Sequence, residues 1–166
     1  IKKVQKDIAI VSSEINLFSI FRLKKYLESK GLADNIVFVN NDVIKMPFKN
    51  DVFDLVTVFG LTTEVPDSDK ALNETYRVIK NDGVLVGNGE MYKDGSPSMK
   101  LADEMNIGQI CTNERFSKNM ENIGFKNIDV EIGYEGYDTD DSPDEDRCPL
   151  PARGDWFSYV IIKAEK

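Results

Sequence analysis

Apolar residues along this chain fall into short, β-branched runs separated by stretches with helical spacing. Ile8-Ala9-Ile10-Val11 leads to Glu14, Ile36-Val37-Phe38-Val39 leads to Asp42, and Phe53 to Phe59 is apolar except at Asp54 and Thr57. These runs predict strands over 7–13, 36–40 and 53–59, the last with the two-faced apolar character of a central parallel strand. Leu17, Ile20, Leu23 and Leu27 repeat at helical spacing, with Phe18 and Phe21 widening the stripe. They predict a helix over 17–29, with Asn16 as N-cap and Gly31 as its left-handed stop. After a loop through Met46-Pro47-Phe48 and a turn at Asn50-Asp51, Pro66-Asp67-Ser68 opens a second helix predicted to reach Lys80. Ala71, Leu72, Thr75, Val78 and Ile79 form its buried stripe, Asn81-Asp82-Gly83 closes it, and a strand follows over 84–86.

This strand–helix–strand alternation implies an α/β fold with a mostly parallel, twisted sheet and right-handed crossovers. The later half reads differently. A weak helix over 100–106 and a better one over 113–123, with Phe116, Met120 and Ile123 aligned and Gly124 as stop, precede a strand over 125–132. An acidic loop over 138–146 and a final strand over 157–163, expected antiparallel, complete the chain. No internal repeat or second domain is evident, so residues 1–166 are expected to form one domain.

Chemistry narrows the picture. In an open α/β sheet, ligands bind beyond the carboxyl ends of the strands. Glu14 and Asp42 stand there, where carboxylates accept hydrogen bonds from a ribose and an adenine amino group. The net charge of −8 makes the chain a poor match for a phosphate backbone. Arg22, Lys24 and Lys25 read as a solvated helix face. No apolar stretch is long enough for a membrane span, and no apolar segment follows the first lysines as a signal peptide requires. Cys111 and Cys148 lack metal spacing and read as reduced thiols of a cytoplasmic protein. With no histidine, the chain contains no Ser-His-Asp or Cys-His triad and lacks the commonest zinc ligand. No metal site is expected, and the acidic run lacks the glycine and final glutamate of an EF-hand, so it reads as a mobile, solvated loop. Beyond the 84–86 strand, Glu90 and Tyr92 are the acid/base candidates, set against a reading as solvated loop residues. Met91, Met99 and Met105 read as core filling. Trp156 is expected to anchor the last strand.

Taken in order, several segments resemble the class I S-adenosylmethionine-dependent methyltransferases. Glu14, followed by a helix ending in Lys30-Gly31-Leu32, is similar to the family's ribose-binding acid. Asn41-Asp42-Val43 with Met46-Pro47-Phe48 resembles its acid turn and "L-P-F" loop. Asp51-Val52-Phe53-Asp54-Leu55-Val56 resembles its "F-D-x-V" strand. Glu74-Thr75-Tyr76-Arg77-Val78-Ile79-Lys80-Asn81-Asp82-Gly83 is similar to "E-x-x-R-V-L-K-P-G-G", and Ile123-Gly124-Phe125 to the family's "aGF" helix end. Arg77, Lys80 and Gly83 also read simply as a cationic helix end with a glycine stop.

The resemblance implies a Rossmann-like fold, S-adenosylmethionine as cofactor and Glu14, Ile15, Asp42, Val43, Phe59, Gly60 and Leu61 at the cofactor. It implies methyl transfer to a small-molecule acceptor, with neither nucleic acid nor membrane as partner; oligomeric state is left open. One departure matters. The family's first strand and its glycine-rich loop would precede Asp7, and nothing there supplies them. The chain is therefore expected to belong to a longer protein. The alternatives are a partner chain filling the gap or direct closure of the flanking strands. A non-catalytic methyltransferase-like partner module is the alternative function. A dinucleotide dehydrogenase fits less well, since no Gly-x-Gly-x-x-Gly is present.

Overall fold

The computed structural model describes residues 8–60, 65 and 67–166. The chain divides into two compact units, Ile1–Pro47 and Phe48–Lys166.

In the first unit, β1 (Ile10–Glu14) and β2 (Ile36–Asn40) form a parallel pair with Glu14 opposite Asn40. Helix α1 (Leu17–Ser29) connects them. Its start follows from Asn16, whose side-chain oxygen accepts from the backbone N–H of Phe18 and Ser19. Its end follows from Gly31, at φ +64°, with Leu32 N–H returning to the Leu27 carbonyl. The apolar stripe behaves differently from expectation. Ile20 is buried, but Leu17, Leu23, Phe18 and Phe21 remain exposed. The predicted cationic face of Arg22, Lys24 and Lys25 is exposed as well.

In the second unit the sheet order is β3-β4-β6-β5, formed by β3 (Phe53–Val58), β4 (Ile79–Tyr92), β5 (Lys126–Tyr137) and β6 (Trp156–Glu165). β3 and β4 are parallel, and β6 runs antiparallel to both its neighbours. Helices α2 (Ser68–Val78), α3 (Pro97–Glu104) and α4 (Asn113–Ile123) contribute Leu72, Val78, Met99, Phe116 and Met120 to a core shared with Leu85, Val160 and Ile162. A 3-10 turn at Gly108–Ile110 joins α3 to α4.

Three expectations are corrected here. Helix α2 stops at Val78 rather than Lys80, because Ile79 pairs with Phe53 and opens β4. β4 then passes straight through Asn81-Asp82-Gly83, with Asp82 at φ +66°. Gly83 is required sterically, since a Cβ there would stand 2.6 Å from Ile79 Cγ2 and 2.9 Å from the Lys80 carbonyl oxygen. Finally, β3 has the two-faced apolar sequence of a central strand, yet it pairs only with β4 among the described residues and leaves Leu55 54% exposed. Met91 and Met99 fill the core as expected, whereas Met105 lies at the surface.

The C-terminal segment closes this unit. Lys166 Nζ donates to the Tyr76 and Ile79 carbonyls at 2.9 Å each and to Asp51 Oδ1 at 2.8 Å, and it lies 4.6 Å from the Tyr76 ring centroid. An ammonium at the carbonyl end of α2 opposes the helix dipole. Arg77 ties the preceding loop to the same helix through the Phe48 carbonyl, Asn50 and Glu74. Its role here is architectural.

Candidate functional site

The parallel register of β1 and β2 brings their carboxyl ends side by side. Asn40 Nδ2 donates to the carbonyls of Glu14 and Ile15, both at 2.8 Å, and Asn41 N–H donates to the Glu14 carbonyl at 3.2 Å. Both chain exits are thereby pinned together. Glu14 Oε1 accepts from Asn16 N–H at 2.8 Å, so the residue that caps α1 also orients the carboxylate. Asp42 Oδ1 accepts from Ile44 N–H at 3.1 Å in a local turn that contains Val43. Asn41 donates from Nδ2 to the Asp42 carbonyl, and its Oδ1 is buried without a hydrogen-bond partner among the described residues. A buried acceptor is costly unless something donates to it.

Glu14, Asp42 and Asn41 therefore present acceptor oxygens at adjoining strand exits, a set that fits the hydroxyl and amino donors of an adenosine. Sequence reasoning named Glu14, Ile15, Asp42 and Val43, and the structure places them at or next to these two strand exits. It quoted Asn41 only as part of the Asn41-Asp42-Val43 turn and did not single out Asn40, whose side chain ties the two exits together.

At the carboxyl ends of β3 and β4, Phe59 is 70% exposed and Gly60 takes φ +75°, a conformation that favours glycine. Leu61 lies outside the described residues. Gly60 N–H donates to Asn88 Oδ1 at 3.1 Å, and Asn88 Nδ2 in turn donates to Tyr159 Oη. Neither Asn88 nor Tyr159 was singled out from the sequence. They are 71 residues apart and meet only through the pairing of β4 with β6.

Glu90 and Tyr92 are not loop residues. Both lie within β4, on the same face, and Tyr92 Oη donates to Glu90 Oε2 at 2.9 Å. Burial raises the Glu90 carboxyl above its ordinary range, against the opposing pull of that hydrogen bond. Burial also raises Tyr92, helped by the neighbouring Glu90 charge, so its hydroxyl remains a donor. Cys111, buried and bonded through Sγ to the Ile107 carbonyl, is pushed up to about 12, chiefly by desolvation. A thiol in that state is a poor nucleophile. Cys148 is free and exposed.

The raised Glu90 makes a prediction about stability. A folded-state pKa above the unfolded one contributes stability below the unfolded value, and that contribution is lost as pH rises through the folded value. Glu90→Gln keeps an oxygen for Tyr92 but removes the charge. It is expected to raise the melting temperature at neutral pH and leave it unchanged in acid. A fall at neutral pH, followed by scanning calorimetry at both pH values, would show that the carboxylate is stabilised where it stands.

The acidic segment is organised rather than simply solvated. Arg147 pairs with Asp138 at 3.0 Å, both side chains being 7% exposed. Arg153 bonds the Asp140 and Ser142 carbonyls and Asp144 Oδ1. Asp155 accepts from Ser98 N–H at 2.8 Å, holding the end of the segment to the start of α3. Trp156 begins β6, with Lys93 Nζ 4.3 Å from its ring centroid. Among the described residues no cluster of three or more acidic, cysteine or histidine side chains could hold a metal ion, and no helix is long and apolar enough to cross a membrane.

Comparison with known proteins adds the following. The model of the ubiE/COQ5 methyltransferase family matches residues 1–112. The chain is 37% identical over 78 residues to the ubiquinone/menaquinone biosynthesis C-methyltransferase UbiE of Pectobacterium carotovorum, covering 46% of this chain and 31% of that one. It is 26% identical over 159 residues to the sterol 24-C-methyltransferase of Debaryomyces hansenii, covering 93% of this chain and 41% of that one. The chain thus spans less than half the length of these curated relatives. In structure it is similar to Haemonchus contortus phosphoethanolamine N-methyltransferase 2 in complex with S-adenosyl-L-methionine. The TM-score is 0.68 at 13% identity, over 95% of this chain and 43% of that one.

Proposed function

The chain belongs to the ubiE/COQ5 methyltransferase family, and from that premise we propose that it takes part in S-adenosylmethionine-dependent methyl transfer to a small-molecule acceptor. When bound, the cofactor supplies an electrophilic methyl on a sulfonium, with an excellent leaving group. The protein's task is then alignment and exclusion of water more than activation. In this reading Glu14 accepts from the ribose hydroxyls, and Asp42 accepts from the adenine amino group. Val43 offers a backbone N–H to the ring, and Ile15 packs beside it. Asn41 supplies a further acceptor for the same nucleoside. The sequence resemblance assigns Phe59, Gly60 and Leu61 to the cofactor as well; of these, Phe59 and Gly60 stand at the exit of β3.

Glu90 and Tyr92 serve the acceptor. A carboxyl whose proton affinity is raised by burial is suited to take a proton from an acceptor that must lose one. Tyr92, held as a donor, orients it. The names of the relatives, a sterol and a ubiquinone/menaquinone C-methyltransferase, support a small, largely apolar acceptor.

The observation that carries this reading is the unpartnered acceptor of Asn41 beside Glu14 and Asp42 at joined strand exits. Isothermal titration of the protein with S-adenosylhomocysteine tests it. Saturable heat with one site per chain is expected. Absence of heat, with adenosine equally silent, overturns the assignment.

A further inference from the structure

The hydrogen-bond chain through Asn88 has a direction. Gly60 donates its backbone N–H to Asn88 Oδ1, which fixes the amide so that Nδ2 faces outward and donates to Tyr159 Oη. With a lone pair of Oη engaged, the Tyr159 hydroxyl hydrogen is left to point elsewhere. Tyr159 is 39% exposed, so that hydrogen is within reach of a ligand.

Register places it opportunely. Glu90 and Tyr159 are directly opposite in the antiparallel β4–β6 pair, so their side chains rise from the same sheet face. The surroundings on that face are apolar and aromatic. The Phe157 ring meets that of Tyr134 in a tilted contact, centroids 5.9 Å apart, and Tyr134 is itself 57% exposed. A phenol donor and a carboxylate therefore stand side by side on an aromatic ledge.

We propose that Tyr159 contacts the methyl acceptor, donating a hydrogen bond to an oxygen of that molecule, and that Asn88 is the positioning residue that orients this donor. The proposal rests on the methyltransferase reading above. It deepens that reading by adding a binding role for Tyr159 opposite Glu90. The ligand it implies is a flat, apolar molecule bearing a hydroxyl or carbonyl oxygen. Asn88 acts only through Tyr159 and the Gly60 turn.

The test uses two probes of nearly equal shape, 2-naphthol and 2-methylnaphthalene, titrated calorimetrically into the protein. The wild type is expected to bind 2-naphthol about five- to tenfold more tightly, the ratio that one neutral hydrogen bond supplies. Tyr159→Phe is expected to bring the ratio to about one, and Asn88→Ala to an intermediate value. A merely structural role would weaken both probes together and leave their ratio unchanged. That result, or an absence of preference in the wild type, overturns the proposal. An unchanged ratio in Asn88→Ala with a collapsed one in Tyr159→Phe overturns the positioning role of Asn88. S-adenosylhomocysteine titrated in parallel separates the two levels. Heat with the nucleoside but no probe preference sinks the Tyr159 assignment alone, whereas a preference without nucleoside heat sinks the cofactor reading instead.

Discussion

Arg147→Met is expected to lower the unfolding free energy by about 3–5 kcal/mol, the cost of leaving one member of a buried ion pair without the other. Asp138 Oδ2 accepts from Arg147 Nη2 at 3.0 Å and from Gly154 N–H at 3.2 Å. Nη2 also donates to the Pro151 carbonyl at 2.9 Å. Removing the guanidinium leaves a carboxylate, only 7% exposed, with two backbone N–H donors, Gly154 and Asp140, but no cation to offset its charge, and it also frees the Pro151 carbonyl. The Arg147 Nε adds little, since its 3.7 Å approach to Asp140 is an ion-pair contact without a hydrogen bond. Arg153→Met, which breaks an exposed pair with Asp144, should cost far less, because surface pairs contribute little. Urea denaturation of both variants makes the comparison. Equal midpoints for the two would show that burial of the Asp138–Arg147 pair carries no energetic weight.

Glu14→Gln is expected to weaken S-adenosylhomocysteine binding by about tenfold or more, the value of a hydrogen bond to a charged acceptor. Gln retains an oxygen for Asn16 N–H, so the capped start of α1 survives and the unfolding curve should not move. The change isolates the charge. Asp42→Asn, which likewise keeps an acceptor for Ile44 N–H, is the companion variant. Calorimetric titration reads both, and losses below twofold in each would remove these carboxylates from the nucleoside site.

What the sequence disclosed depended on whether a signal was local. Asn16, Gly31 and Gly124 are capping signals, and α1 begins and ends, and α4 ends, where those residues require. β2 was visible because four apolar residues stand in a row. β4 was cut short in the sequence reading because Gly87 and Gly89 interrupt the pattern after Val86. At Gly87 the reason is steric, as a Cβ there would lie 2.8 Å from the Val58 carbonyl oxygen of the neighbouring strand. A close approach between strands looks, in one dimension, like a loop. That misreading also put Glu90 and Tyr92 in solvent.

The acidic segment is the mostly exposed loop that was expected, but its ordering was hidden for another reason. Composition reports the excess of aspartate but not that Arg147, just after the run, is buried against Asp138. The pairings Asn88–Tyr159 and Glu90–Tyr159 depend on strand register, which is written in neither partner alone. The apolar stripe of α1 was legible, yet most of it stays uncovered among the described residues, so periodicity located a face without disclosing what lies against it.

β6 is inserted between β4 and β5 although it is made after both. Until it arrives, β5 has no partner, β4 is paired only along its β3 edge, and Lys166 cannot clasp the carbonyl end of α2 across 115 residues to Asp51. Assembly of this unit on the ribosome must therefore wait for β6 to clear the exit tunnel. During that interval β4 and β5 expose unpaired backbone, when a nascent chain most needs chaperone cover.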